Sequence, residues 1–255
     1  MLFEFYFLFA GLCVGSFLHT SALRLLNGKS LFNRSSCDEC GKTISVLGLI
    51  PVLGFIILKG KCVNCGYKIP ILYPLTELMT GICFWLIYKK LGTGPELFFM
   101  FAIWSGLIMI SIADSLSFLI LWQPVVVIFL VRSAMLYFAG SQEILDSVIG
   151  LLAGAGFFHF VSYFYLVIRG KVGLGEGDTT VIGLIGFILT WQALLPVILF
   201  ASVSGIFYLL VARFGKGESL RSQFPFAPAL CLGAFIHFEF PWLFNFIRNS
   251  VVSLY

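Results

Sequence analysis

The feature that most constrains this chain is the length of its apolar runs. Stretches of about 18 or more apolar residues, enough to cross a bilayer as a helix, recur along the sequence near residues 2–24, 71–89, 95–113, 117–139, 144–168, 179–193, 195–213 and 228–247. Only Trp191, Gln192 and Pro196 mark the boundary between the sixth and seventh runs, so seven or eight spans are expected. Lipid offers no partner for backbone polar groups, so only helices and closed barrels survive in it. The runs are continuous and lack the alternation of a barrel strand. The expectation is therefore an all-α, polytopic transmembrane bundle of about eight helices. Composition agrees: 11% of the residues are charged and 60% are hydrophobic, and mean hydropathy is +1.02. A soluble domain carries about 25% charged residues.

The first run reads as a retained helix rather than a cleaved signal. Glu4 is the only charge before Arg24, and the run exceeds the usual ~7–15 residue core of a signal peptide. Lys and Arg set the expected orientation. Lys29, Arg34, Lys42, Lys59, Lys61 and Lys68 lie between the first and second runs, and Arg169, Lys171, Arg213, Lys216 and Arg221 lie in later loops on the same side. That side is expected to be cytoplasmic, with the N-terminus outside; only the Lys89–Lys90 pair runs against this. The net charge of +4 follows from this bias. With no basic patch interleaved with exposed aromatics, no nucleic-acid partner is expected.

Residues 25–70 interrupt the apolar pattern. They contain "CDEC" (Cys37, Cys40) and "CVNC" (Cys62, Cys65), each followed by a glycine, Gly41 or Gly66. Each C-x-x-C puts two thiols on one tight turn, and two such knuckles supply four sulfurs for one tetrahedral ion. A reducing compartment disfavours disulfides and strengthens the metal reading. With no open coordination position, the expected metal is a structural Zn2+. The apolar stretch "VLGLIPVLGFIIL" (46–58) is too short to span and is expected to lie against the membrane interface or the helices. The isolated Cys13, Cys83 and Cys231 read as packing residues. Three segments follow: a first helix (1–24), a cytoplasmic four-Cys zinc-binding insert (25–70) and a membrane core (71–255).

Acids inside apolar runs are costly and are functional candidates by default. Asp114 lies in "SIADS" at the end of the third run, and Asp178 in "GEGD" at the start of the sixth. The expected topology puts both at the cytoplasmic face. Two carboxyls at close range share a proton, so one can activate a water while the other protonates a carbonyl oxygen. Gly175 and Gly177 are expected to give the backbone unusual torsions and room for a substrate strand. Two plainer readings stand beside this one: Asp178 as N-cap of a helix beginning at Thr179, and Asp114 as a boundary acid facing headgroup water. Glu176, Glu143 and Asp146 read as solvated, Glu77 as a cap or part of a polar cluster, and Arg132 as a mid-run cation in need of a partner or a snorkelling route.

Taken in order, these segments resemble the bacterial type IV prepilin peptidases, the bifunctional leader peptidase/N-methyltransferases of the GxGD class of membrane aspartic proteases. The resemblance runs to about residue 237. It rests on "GSFLHTSALRLL" (15–26), the two cysteine pairs, "IPILYPLTELMTG" (69–81), "SIADS", "GEGD", "WQALLPVILFASVSG" (191–205) and "FPFAPALCLGA" (224–234). It implies that Asp114 and Asp178 are the catalytic aspartates. It implies a substrate that is a type IV prepilin or type II secretion pseudopilin, cut at the cytoplasmic face of the bacterial inner membrane. S-adenosylmethionine then methylates the new N-terminus, an activity that rests on the resemblance alone. The sequence departs from the family's pattern in three places. No proline turn follows Asp114 before Pro124, Thr180 stands where a lysine is common, and His19 replaces a common asparagine; His19 is expected to make a polar contact near the insert. Two other readings are a peptidase without methylation and a non-enzymatic membrane scaffold or transporter with a zinc-knuckle loop.

Overall fold

The protein is seen in a computed structural model that describes residues 2–31, 33–170, 175–216 and 224–244. Lys171, Arg221, Arg248 and the end of the last apolar run, 245–247, lie outside these residues. Among the described residues the chain is all-helical, with nine α-helices and no strand. Eight of them follow the eight apolar runs: α1 (Leu2–Leu26), α3 (Leu72–Leu91), α4 (Pro95–Ser117), α5 (Trp122–Tyr137), α6 (Ser141–Arg169), α7 (Glu176–Leu189), α8 (Leu194–Lys216) and α9 (Phe226–Glu239). The ninth, α2 (Leu53–Ile57), is a single turn in the insert. Four helices are long and apolar enough to cross a membrane: α1, α4, α6 and the segment Trp191–Val211.

The chain divides into two compact units, Met1–Ala113 and Asp114–Tyr255. In the first, α1 packs along α3. Gly11 and Gly15, spaced G-x-x-x-G, make this seam. A Cβ on Gly11 would stand 2.8 Å from the Cα of Gly81, and one on Gly15 would stand 2.8 Å from the Cα of Glu77. Small residues at such a seam let two backbones approach where lipid gives no hydrophobic drive. Phe84 stacks on Phe101 of α4 at 4.0 Å between ring centroids, with Phe7 beside them. Polar groups also lie in the seam: His19, Thr76, Glu77 and Thr80 are all buried.

In the second unit α6 packs on α7 through the same device. A Cβ on Gly150 would collide with the Gly186 carbonyl, and one on Gly154 would stand 2.8 Å from the Ile182 carbonyl oxygen. Helix α7 has 14 residues, about 21 Å at 1.5 Å per residue. That is short of the roughly 30 Å hydrocarbon layer. Every residue from Val181 to Ile188 is buried, and α5, α6 and α9 all contact the helix. In the sequence α7 is one more apolar run; in the structure it is a helix enclosed by protein. Hydropathy reports what a helix is made of, not what surrounds it. Surface exposure falls instead on α6, where Phe157, Phe160, Tyr163 and Phe164 are exposed.

Arg132 on α5 finds partners within the protein. Its Nε donates to the Phe187 carbonyl (3.2 Å), and its Nη2 donates to Ser147 Oγ (3.0 Å) and to Glu143 Oε1 (3.1 Å). Phe187 lies in the last turn of α7, where carbonyls lack intrahelical donors. Glu143, expected to be solvated only, is therefore the partner of the mid-run cation. Asp146 accepts from Trp191 Nε1 at 3.3 Å.

Candidate functional site

The cysteine insert is built from two copies of one turn, offset by 25 positions. In the first copy, Cys37 N–H donates to the Lys42 carbonyl (2.9 Å), Gly41 N–H to Cys37 (2.9 Å) and Ile44 N–H to Ser35 (3.0 Å). In the second, Cys62 donates to Tyr67 (2.8 Å), Gly66 to Cys62 (2.9 Å) and Ile69 to Gly60 (2.8 Å). Bridges Ser36–Thr43 and Lys61–Lys68 close the two turns. Gly41 and Gly66 take φ of 69° and 73°, a left-handed conformation that costs a side-chain-bearing residue about 1–2 kcal/mol. The local sequence C-x-x-C-G thus fixes both sulfurs of each pair.

Facing turns bring all four cysteine sulfurs within 4.8 Å of one another, and Cys37 and Cys65 Sγ are 3.8 Å apart. A tetrahedral zinc with Zn–S bonds of about 2.3 Å spaces its sulfurs about 3.8 Å apart; a disulfide would need about 2.05 Å. All four cysteines are free. The Cys62 thiol is lowered to about 6 by the backbone N–H of Cys65 and then that of Asn64. Cys65 moves the other way, to about 12: the Tyr67 backbone N–H lowers it, but burial and the neighbouring sulfurs outweigh that, so the thiolate a metal requires is favoured first at Cys62. The set fits Zn2+, which Cys37, Cys40, Cys62 and Cys65 would hold with no position left for a substrate, so the metal would staple the two turns.

A polar chain ties the insert to the helices of its own unit. Tyr73 on α3 donates to Asp38 Oδ2 at 3.2 Å, and the His19 ring lies on Tyr73 at 3.9 Å between centroids. His19 Nδ1 lies 3.0 Å from Thr76 Oγ1. The Thr76 hydroxyl gives its one proton to the Tyr73 carbonyl (2.8 Å), so Nδ1 of His19 carries the hydrogen in that contact. His19 makes a polar contact near the insert, as expected.

In the second unit, Asp114 begins the last turn of α4 and is 6% exposed. Its Oδ2 accepts the Ala227 N–H at 3.1 Å. Ala227 is in the first turn of α9, whose N-cap, Pro225, offers no side-chain oxygen. One of the donors left open at a helix start is thereby closed by an acid from another helix. Asp114 therefore faces protein rather than headgroup water. Sequence reasoning missed Ala227; Pro225 and Pro228 were the signal that a helix begins there.

Asp178 is the third residue of α7, which starts at Glu176 with Gly175 as N-cap. The reading of Asp178 as N-cap of a helix from Thr179 is thus corrected: its backbone N–H donates to Gly175 (3.2 Å). Among the described residues its carboxylate has no hydrogen-bond partner, and it lies within electrostatic reach of Asp114. Gly175 has φ −65°, and Gly177 is helical; neither has a positive φ, so the unusual torsions expected of them are not seen. Their lack of a side chain matters in another way. A Cβ at Gly177 would strike Ile120, and one at Gly175 would touch only Asp178 Oδ2, at 3.4 Å.

Ile120 belongs to the proline-free turn between α4 and α5. Helix α4 runs to Ser117. Phe118 then takes φ 55° while its N–H still bonds to the Asp114 carbonyl at 2.9 Å. A left-handed residue, here a phenylalanine, ends the helix one turn after the acid and turns the chain across Gly177. Gly173 and Leu174, just before "GEGD", lie outside the described residues.

Comparison with known proteins bears on the family of the whole chain. Residues 9–91 match the Bacterial Peptidase A24 N-terminal domain. The chain is 31% identical to a prepilin leader peptidase/N-methyltransferase of Bacillus subtilis (strain 168), covering 96% of this chain and 94% of the relative. It is 32% identical to one from Myxococcus xanthus (strain DK1622) over 80% of this chain and 61% of the relative. It is 30% identical to one from Neisseria gonorrhoeae over 80% and 70%. No solved structure matches the chain. With near-complete reciprocal coverage of the Bacillus protein, a paired-cysteine insert and apolar helices throughout, the chain belongs to the prepilin leader peptidase/N-methyltransferase family.

Proposed function

We propose that this protein is a membrane-embedded aspartic endopeptidase that removes the basic leader of type IV prepilins or type II secretion pseudopilins, with Asp114 and Asp178 as its catalytic pair. The observation that carries the proposal is the pair itself. One carboxylate is buried and tethered by the Ala227 N–H. The other stands within its field at the first turn of a protein-enclosed helix, without a hydrogen bond to its carboxylate among the described residues. Two carboxyls so placed hold one proton between them. One takes a proton from a water as that water attacks the scissile carbonyl carbon, and the other protonates the carbonyl oxygen. The resulting gem-diol collapses as a proton passes to the leaving amine. A side chain at Gly175 would press on Asp178 Oδ2, at 3.4 Å, so glycine there keeps the carboxylate uncrowded by its own backbone neighbour.

Basic residues of the insert and later loops support a cytoplasmic active face in a bacterial inner membrane, with the N-terminus outside. The new N-terminal amine then takes a methyl group from S-adenosylmethionine, a reading supported by the names of the relatives. The four-cysteine site holds a structural Zn2+ in this scheme.

The test is leader cleavage of one defined prepilin by the purified protein in lipid. Asp114→Asn and Asp178→Asn each lower cleavage by about 10³-fold or more, the range of a lost acid–base group, while the asparagine at 114 still accepts the Ala227 N–H. Cleavage at the wild-type rate in either variant overturns the aspartic reading. Mass spectrometry of the mature pilin, read for an added methyl, separates a bifunctional enzyme from a peptidase alone.

A further inference from the structure

The insert carries an apolar segment that neither the acid pair nor the four-cysteine site uses. Residues 43–58 hold no charged side chain, and exposed lysines, Lys42 and Lys59, close the stretch at its two ends. The segment is made of two short helical turns, Val46–Leu49 and α2, joined through Ile50, Pro51 and Val52. It is two-sided. Pro51 and Gly54 are buried, and a Cβ on Gly54 would stand 2.7 Å from the Leu47 carbonyl oxygen, so the two turns pack backbone against backbone. Val46, Leu47, Leu49, Leu53, Ile56 and Ile57 are left 47–81% exposed. An aliphatic surface of this kind marks a contact with a partner or a membrane.

One hydrogen bond sets the depth of the segment. The Val52 N–H donates to Glu77 Oε2 at 2.6 Å, and Ser16 of α1 hydrogen-bonds the same carboxyl. Helix α1, long and apolar enough to cross a membrane, begins at Leu2. From Leu2 to Ser16 is about 21 Å at 1.5 Å per residue, whereas the hydrocarbon layer is roughly 30 Å thick. With Leu2 at one boundary of that layer, the Val52 contact still lies about 9 Å short of the other. Backbone at such depth must have its polar groups paired. Here Gly48 N–H bonds to Ser45, Gly54 to Ile50, Ile56 to Val52 and Leu58 to Gly54. Val52 itself has φ 60°, a conformation rare for a β-branched residue, and Glu77 closes its N–H. Ile71 and Leu75, at the start of α3, are exposed and apolar as well.

We infer that residues 46–57 form a re-entrant wedge in the membrane, and that the partner covering their exposed side chains is the acyl layer of phospholipid. The chain leaves the headgroup level after Lys42, enters the acyl region through Val46–Leu49 and α2, and returns to the surface at Lys59. The ammonium groups at both ends reach the lipid phosphates while their stems stay on apolar surface. The sequence allows this stretch either the membrane interface or the helices. The wedge takes both, with its Val52 tether on α3 and its aliphatic side chains on lipid. Glu77 then has a role apart from the acid pair: it is the acceptor that lets the irregular backbone at Val52 sit below the headgroups. The wedge needs only that α1 spans the membrane, and it stands or falls separately from leader cleavage and methyl transfer.

The test uses the full-length protein in nanodiscs of phosphatidylcholine that carries a photoreactive diazirine midway along one acyl chain. After photolysis, mass spectrometry of peptides maps the label. Label on residues 46–57 should exceed that on the two cysteine turns by about tenfold or more, since an interfacial apolar face sits in the acyl boundary and a polar turn does not. It should be comparable to the label on the exposed aromatic residues of α6. Wild-type label on 46–57 no higher than on the cysteine turns overturns the wedge. The double substitution Leu53→Asp and Ile56→Asp places two carboxylates where hydrocarbon rejects them, so label on the segment should fall at least about fivefold while label on α6 is kept. Kept α6 label shows that the variant is inserted, and an unchanged segment label overturns the wedge. Should the variant fail to assemble into discs, the wild-type map decides alone. Benzoylphenylalanine introduced at Leu53 tells lipid from protein: a cross-link to phospholipid supports the wedge, and a cross-link to a second copy or to another segment of this chain in its place overturns it.

Discussion

The α1–α3 pair and the α6–α7 pair are made by the same device and serve different ends. Each has two glycines spaced G-x-x-x-G on one helix and backbone-to-backbone contact with the other. The first seam keeps polar side chains inside it: His19, Thr76, Glu77 and Thr80 are buried along its length. In the second, the buried core of α7 from Val181 to Ile188 is apolar without exception. Its polar groups stand at the two ends, Asp178 at the first turn and the Phe187 carbonyl under Arg132 at the last. A seam with polar contents can hold a ligand or anchor an insert. A seam without them is a stiff rod, and what it offers is the position of the group at its tip.

That contrast can be broken by substitution. The largest effect is expected where a methyl meets a carbonyl directly. Gly150→Ala should destabilise the second unit by about 3 kcal/mol, the upper part of the range for overpacking. Gly11→Ala, whose Cβ would meet Gly81 and Thr80 backbone atoms at 2.8 Å, should cost about 1–2 kcal/mol. Denaturant unfolding in micelles ranks the two; the reverse order would mean that the first seam is the tighter one. Gly156, also on α6 but facing open space, tolerates alanine without loss.

A smaller effect is expected at the C-terminal end of the rod. Arg132→Met removes the donor to Phe187 and to Ser147, leaving buried acceptors unpaired at about 2 kcal/mol. The ion pair adds little, since Glu143 is 51% exposed and exposed pairs are worth less than about 1 kcal/mol. Glu143→Gln should therefore change unfolding far less than Arg132→Met, and equal losses would refute the end-capping role.

The smallest effect concerns the turn after Asp114. Phe118 is 48% exposed and left-handed, so Phe118→Gly relieves about 1 kcal/mol of backbone strain and gives up little packing. A raised unfolding midpoint with unchanged leader cleavage is the expected result. A loss of cleavage would show that the turn sets the position of Asp114.

Much of this was legible in the sequence because it is local. Apolar run length marks a helix wherever it occurs, and all eight runs became helices. C-x-x-C-G carries its own turn, so the sulfur cluster could be read from spacing. The acids were legible as expensive residues in apolar runs. What they touch was not legible, because it depends on residues far along the chain. Asp114 meets Ala227, Arg132 meets Phe187, and Glu77 meets Val52, which no local pattern encodes. The turn after Asp114 was hidden for another reason: a phenylalanine with positive φ contradicts its own propensity, and only the surrounding fold can impose it.

The short, enclosed helix α7 also bears on how the protein is made. A segment of 14 residues that shows almost no surface to lipid has little to gain by entering the bilayer alone. Its partners α5 and α6 precede it in synthesis, but α9, which also packs on it, begins at Phe226. Helix α7, and Asp178 at its tip, therefore reach their final setting only after most of the polypeptide has left the ribosome. The packing around this segment is therefore completed only once Phe226–Glu239 of α9 has been made, later than its own synthesis by some 37 residues or more (226 − 189).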